Sequence, residues 1–144
     1  MWHGEYTHTL DSKDRFVLPA KFREKIKKLK EKKFYLTCGL DGCLFLFTSE
    51  VWEEQKRKLD SLSFTKQRAR SFTRLYFGRT VDVELDAQGR IVIPQHLKEK
   101  AGIKKEVVIV GVGERIEIWD KERWRKFCLE NEKHFEEIAE TLIT

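Results

Sequence analysis

The chain repeats itself. Leu10-Asp11-Ser12-Lys13-Asp14-Arg15-Phe16-Val17-Leu18-Pro19 returns 75 positions later as Leu85-Asp86-Ala87-Gln88-Gly89-Arg90-Ile91-Val92-Ile93-Pro94. Asp, Arg, Val and Pro recur in register, and the pairs Phe16/Ile91 and Leu18/Ile93 keep their apolar character. Glu24-Lys25 then recurs as Glu99-Lys100. At an offset of 72, Gly39, Phe47, Glu50 and Trp52 face Gly111, Trp119, Glu122 and Trp124. Two blocks in the same order, separated by a three-residue indel, mark an internal duplication of nearly the whole chain. The expected copies are residues 1–76 and 77–144.

Each copy has the same local grammar. Residues 6–10 and 81–85 alternate with the two-residue period of a strand. A polar turn follows, Asp11-Ser12-Lys13-Asp14 or Asp86-Ala87-Gln88-Gly89, and a second strand ends at Pro19 or Pro94. Proline lacks an N–H and fixes φ, which suits the first turn of a helix and not a continuing strand. Helices are therefore expected at about 20–28 and 95–101, the second stopped by Gly102. Another hairpin comes next, 34–38 with 43–47 in one copy and 107–112 with 115–119 in the other.

Helices close each copy. One starts near Ser49, with Glu50, Glu53 and Glu54 favourably placed against the helix dipole. Another starts near Thr65, with Ala69, Phe72, Leu75 and Tyr76 on one face. The last runs from Asp120 and carries Trp124, Phe127, Asn131, Phe135, Ile138 and Leu142 at spacings of three and four. The pattern of hairpin, helix, hairpin, helix, twice over, defines an α+β chain with an antiparallel or mixed sheet. One copy alone has exposed strand edges and half a core, and two copies can complete each other.

These residues resemble the MraZ family. The resemblance rests on Gly4-Glu5-Tyr6-Thr7-His8-Thr9-Leu10-Asp11-Ser12-Lys13 with Arg15 and Leu18-Pro19-Ala20, and on Gly39-Leu40-Asp41-Gly42-Cys43-Leu44. Phe72-Thr73-Arg74 and the second Asp-to-Pro block extend it over essentially the full chain. It implies tandem AbrB/MazE-like swapped-hairpin modules forming a pseudo-two-fold β-barrel with flanking helices. It also implies a bacterial transcriptional regulator of the division and cell-wall gene cluster, acting on its own promoter as well. The expected partners are double-stranded promoter DNA with short direct repeats and further copies of the chain, assembled as a homo-oligomeric ring. The family's Asp-x-x-x-Arg element, tied to its DNA-contacting surface, falls on Asp11 and Arg15 and on Asp86 and Arg90. Gly is expected before the Arg, as at Gly89, but the first copy has Asp14. Asp tolerates a left-handed turn, and it adds a carboxylate beside Arg15.

Charge agrees in its distribution, not its total. The 29 Lys+Arg and 24 Asp+Glu of the 144 residues leave a net charge of only +5. Residues 21–33 hold eight Lys or Arg against Glu24 and Glu31, and 61–80 hold five against no acid. The last fifteen residues carry five Glu and one Lys. Such basic runs either neutralise phosphates with release of counterions or form a solvated helix face. Arg15 and Arg90, each just after a tight turn, can grip guanine O6 and N7 or clamp a phosphate. The other reading is an Asp–Arg pair that only holds the turn closed. Lys13, Gln88, Lys21 and Arg23 complete the candidate DNA contacts, and Asp11, Asp86 and Gly89 support the turns. Trp124 and Phe127 fit either core packing or a subunit interface.

Other functions find little support. No phosphate loop, G-x-S-x-G elbow or H-E-x-x-H occurs, so no enzyme, small-molecule substrate or cofactor is expected. Cys38 and Cys43 flank a turn without a second Cys/His pair, which favours small buried side chains over a metal; Cys128 suits packing. His3, His8, His96 and His134 are scattered, and His8 alternates with its strand neighbours as a structural residue would. The apolar runs 44–47 and 107–112 are too short to span a bilayer. Met1-Trp2-His3-Gly4-Glu5 lacks a signal peptide's basic and long apolar regions, and an odd three cysteines suit a reducing compartment. The expectation is a cytoplasmic, nucleoid-associated protein without membrane contact. A protein–protein module of the same fold, antitoxin-like or a scaffold component, is the alternative.

Overall fold

Strands too short to stand alone must find partners, and here they find them in the other copy. The computed structural model describes residues 1–143; Thr144, the last residue of the expected second copy, lies outside the described residues. The first copy contains β1 (Glu5–Thr9), β2 (Arg15–Val17), α1 (Ala20–Leu29), β3 (Lys33–Cys38), β4 (Leu44–Thr48) and α2 (Ser49–Asp60), and α3 (Gln67–Arg79) runs from it across the expected boundary. The second contains β5 (Val81–Glu84), β6 (Arg90–Val92), α4 (Gln95–Lys100), β7 (Glu106–Val112), β8 (Arg115–Asp120), α5 (Lys121–Asn131) and α6 (Phe135–Ile143). A 3₁₀ turn, Glu132–His134, joins the last two helices.

The expected hairpins of β3 with β4 and of β7 with β8 are present. The segments around the Asp-to-Arg turns behave otherwise. β1 pairs with β7, and β5 pairs with β3, so each copy lends its first strand to the other. β2 pairs not with β1 but with β6, opposing Arg15 to Val92, Phe16 to Ile91 and Val17 to Arg90. A tight turn therefore joins two strands that belong to different sheets. The larger sheet has the order β1-β7-β8-β4-β3-β5, with β1 and β5 outermost. That order reads the same when the copies are interchanged, as an approximate two-fold axis between β4 and β8 requires.

Strand register also corrects the alignment of the hairpins. Leu44 opposes Cys38, and its counterpart Ile116 opposes Gly111. Cys38, not Gly39, therefore occupies the position of Gly111. The extra residue lies in the longer β3–β4 loop. Gly111 is needed where it is: a Cβ there would come within 2.4 Å of the His3 backbone nitrogen.

The core belongs to both copies. Phe16, Leu18, Phe22, Phe34, Leu44 and Leu46 pack with Ile91, Ile93, Leu97, Val107, Ile116 and Ile118 in one cluster. On the outside, each copy builds an aromatic cluster at equivalent positions. Phe47 and Trp52 pack with Tyr76 in the first, and Trp119 packs with Trp124 and Phe127 in the second. Equivalent caps start the helices that carry these rings. Thr48 Oγ1 accepts from the Val51 N–H, and Asp120 Oδ2 accepts from those of Glu122 and Arg123.

Two helix expectations change. α3 starts at Gln67, two residues beyond Thr65. The single last helix is broken after Asn131, whose side-chain amide donates to the Phe127 carbonyl at 2.8 Å. Such a side chain offers the backbone an alternative to regular helix. Cys43 is buried as expected, whereas Cys38 and Cys128 are half-buried. No helix among the described residues is long and apolar enough to cross a membrane.

The Phe16–Ile91 pair holds the small ribbon onto the core. Phe16→Ala is expected to lower unfolding stability by about 3–5 kcal/mol, read as a lower urea midpoint with unchanged slope.

Candidate nucleic-acid interface

Each Asp-to-Arg turn is closed by one carboxylate. Asp11 Oδ1 accepts from the N–H groups of Lys13 and Arg15, both at 2.9 Å, and its Oδ2 lies 2.7 Å from Arg15 Nε. Asp86 repeats the arrangement with Gln88 at 3.0 Å, Arg90 at 2.9 Å and Arg90 Nε at 2.6 Å. The backbone closes as well: Asp14 N–H bonds the Asp11 carbonyl, and Gly89 N–H bonds that of Asp86. Asp14 and Gly89 both adopt left-handed backbone, at φ 57° and 76°. Asp14 therefore preserves the turn that glycine makes in the second copy.

These contacts shift both carboxyls. The Arg15 backbone N–H, its guanidinium and the Lys13 N–H hold Asp11 below the ordinary carboxylate range. At Asp86, partial burial pushes upward, but the Arg90 backbone N–H, its guanidinium and the Gln88 N–H outweigh it and lower the pKa. Both groups are ionised at neutral pH and bind their arginines as charge-assisted pairs.

The ribbon sets the two arginines side by side. Side chains alternate along a strand, so Phe16 and Ile91 point into the core while Arg15 and Arg90 share the opposite face. They sit on a diagonal of the pairing, a separation of roughly 7–8 Å between backbones. Neither projects freely from a turn tip. The side chains are only 24% and 27% exposed, each folded against its own aspartate. Arg90 Nη2 also donates to Gln88 Oε1 at 3.2 Å. The turn tips themselves, Ser12-Lys13 and Ala87-Gln88, are exposed.

Arg23 stands beside the turn of the other copy. Its side chain covers Gly89, where a Cβ would come within 2.3 Å of Arg23 Cδ, and its Nη1 donates to the Leu18 carbonyl at 3.1 Å. Arg23, Lys27 and Lys32 thus line a cleft with Asp86, Gln88 and Gly89. Within the basic run, Lys25 lies over the Trp2 ring and Lys33 pairs with Asp82, so those two are engaged in the fold. Lys21, Lys27, Lys28, Lys30 and Lys32 remain exposed.

Sequence reasoning missed the counterpart of Arg23. At the 75-residue offset it is Lys98, whose Nζ lies 2.8 Å from Asp14 Oδ1. The signal was available, because Arg23/Lys98 and Asp14/Gly89 are corresponding positions of the repeat. The Cys43 thiol is pushed up to about 12, chiefly by burial and then by Glu117, and donates to the Leu40 carbonyl. It has the environment of a packed thiol. No group of three or more His, Cys, Asp or Glu suited to a metal occurs among the described residues.

Comparison with known proteins bears on the same repeat. The family model described as "MraZ protein, putative antitoxin-like" matches this chain twice, over residues 1–75 and 76–144. The chain belongs to the MraZ family. "Transcriptional regulator MraZ" of Carboxydothermus hydrogenoformans is 47% identical over 143 residues, covering 99% of this chain and 97% of its own length. The proteins of the same name from Moorella thermoacetica and Caldanaerobacter subterraneus subsp. tengcongensis are 46% and 48% identical, each over 99% of this chain. They cover 97% and 96% of those relatives. The MraZ relatives are thus matched nearly end to end, and their name is a regulator's, not an enzyme's.

The lowered carboxyls give the turns of this MraZ protein a pH signature. A depressed folded-state pKa contributes stability that is complete above the unfolded value and lost as pH falls through the folded one. The Lys13, Arg15, Gln88 and Arg90 amides are expected to stay protected from pH 8 down to about 5. Their exchange, corrected for its intrinsic pH dependence, should accelerate only below the ordinary aspartate value of about 3.9, as read by NMR.

Proposed function

We propose that this chain is a sequence-specific DNA-binding transcriptional regulator, acting on short direct repeats in the promoter of a division and cell-wall gene cluster that includes its own gene. The observation that carries this reading is the pair of equivalent Asp–Arg turns, set by one ribbon on one face and flanked by the exposed lysines of α1. Lys13, Gln88, Lys21 and Arg23 contact the duplex with Arg15 and Arg90. Asp11, Asp86 and Gly89 hold the turns, because a carboxylate bound to three donors is occupied within the protein. The Asp–Arg contact and the DNA contact are compatible: each aspartate engages Nε, and the Nη groups, of which Arg90 Nη2 also donates to the exposed Gln88 side chain, are the part of the fork that can reach a base edge or phosphate. The regulator works in the cytoplasm on the nucleoid, and no cofactor enters the reading.

The exchange of β1 and β5 between the copies supports two swapped-hairpin modules of the AbrB type, residues 1–76 and 77–144, wrapped as a barrel around their shared core.

Direct repeats call for subunits related head to tail, which close as a ring when the rotation fits. Two faces of this chain suit such a contact. α6 carries Glu136, Glu137 and Glu140 with exposed Phe135, Ile138 and Leu142. α3 carries Arg68, Arg70, Arg74 and Arg79 with exposed Phe72 and Leu75. Opposite charge around exposed apolar side chains makes a second copy the fitting occupant of each face.

Binding to a duplex with direct repeats should weaken steeply with salt, and Arg15→Ala with Arg90→Ala should abolish preference for the repeats. Lys13→Ala isolates the phosphate contribution, since its side chain takes no part in the Asp11–Arg15 pair; each lost phosphate contact should lower the salt slope by about 1. A parent protein indifferent to repeats near its own gene would overturn the reading. For assembly, Phe135→Glu with Leu142→Glu should reduce the mass measured by light scattering toward that of the 17.2 kDa chain.

A further inference from the structure

The two turns are alike in shape and unlike in chemistry, and the difference is coupled. Where the second turn has Gly89, the first has Asp14. Where α1 sends Arg23 over the second turn, α4 sends Lys98 to the first. A bare glycine leaves room for the Arg23 stem to lie across it. At Asp14 the side chain occupies that room, and the compact ammonium of Lys98 meets its carboxylate at 2.8 Å.

The charges balance only when both positions are counted. The first turn gathers two carboxylates, Asp11 and Asp14, against three cations, Lys13, Arg15 and Lys98. The second gathers one carboxylate, Asp86, against Arg90 and Arg23. Each turn thus carries one excess positive charge, by different residues. Remove Lys98 and the first turn becomes neutral, with the Asp14 carboxylate unpaired.

We propose that Lys98 is a positioning residue for DNA binding: supplied by the second copy, it neutralises Asp14 and keeps the first turn as attractive to a phosphate backbone as the second. This rests on the reading that the turns face DNA. Lys98 acts through Asp14 and not by its own contact with the duplex. Asp14 and Lys98 are one exchange for the Gly89 and Arg23 of the other turn, so the loss of Lys98 alone is the harmful change.

The test is a double-variant cycle on the full chain, with a direct-repeat duplex as probe and fluorescence anisotropy as readout, at two salt concentrations. Lys98→Ala is expected to weaken binding about fivefold, the scale of one exposed charge. Asp14→Gly with Lys98→Ala should bind within about twofold of the parent. A double variant as weak as Lys98→Ala alone would show that the lysine acts on DNA directly or only on folding, and would overturn the proposal. So would Lys98→Ala binding like the parent while Lys13→Ala is impaired. If Lys13→Ala and the double Arg variant both bind like the parent, it is the underlying DNA reading that fails. Thermal melting of each variant separates loss of fold from loss of binding.

Discussion

Neither Arg15–Val17 nor Arg90–Val92 is long enough to persist as an isolated strand, and neither has a partner in its own copy. Each exists because the other does. Their pairing places Phe16 and Ile91 side by side in the core and, by the alternation of a strand, sets Arg15 and Arg90 together on the opposite face. It also ties the turns across the copies: Leu18 N–H bonds the Gly89 carbonyl, and Ile93 N–H bonds the Asp14 carbonyl. The turn of one copy is therefore braced by the strand of the other. The spacing of the arginines, the environment of Asp14 and the position of Arg23 all follow from this one contact.

Much of the fold was legible because it is written twice. The prolines that end β2 and β6, the helix starts near Ser49 and Asp120, and the turn glycines act through local geometry, which sequence displays directly. Strand partners are not local. The alternation in residues 6–10 shows a strand with one buried face, but nothing in it says that the neighbour will be β7 and not β2. The break at Asn131 escaped for a related reason, since the apolar spacing of three and four continues through it. At the candidate site the Asp and Arg of each turn were readable. The repeat aligns Lys98 with Arg23 and Asp14 with Gly89, but the bond between Asp14 and Lys98 was not readable, because it joins residues 84 positions apart through a fold not yet known.

The arginines also show why a motif does not choose between its structural and its binding reading. The ion pairs that close the turns are present, as the structural reading requires. They use Nε and one carboxylate oxygen, the other oxygen being taken by backbone N–H groups, and they orient each guanidinium on the outer face of the ribbon. Holding a turn and presenting a planar cation are, in this geometry, the same arrangement seen from two sides. What distinguishes the turns is the position before the Arg and the helix residue that lies over it: Asp14 with Lys98 at one turn, Gly89 with Arg23 at the other.

The exchange of first strands has a consequence for the chain as it leaves the ribosome. β1 is complete at Thr9, but its partner begins only at Glu106. At a synthesis rate of ~5–20 residues per second, the first strand waits roughly 5–20 s for its place in the sheet. β5 reaches the β3 edge of the β3–β4 hairpin once Glu84 is made, but the β4 edge and β1 itself have no strand partner from their own chain until β7 and β8 follow. Neighbouring nascent chains on one message, emerging with the same unfilled edges, are each other's nearest substitute.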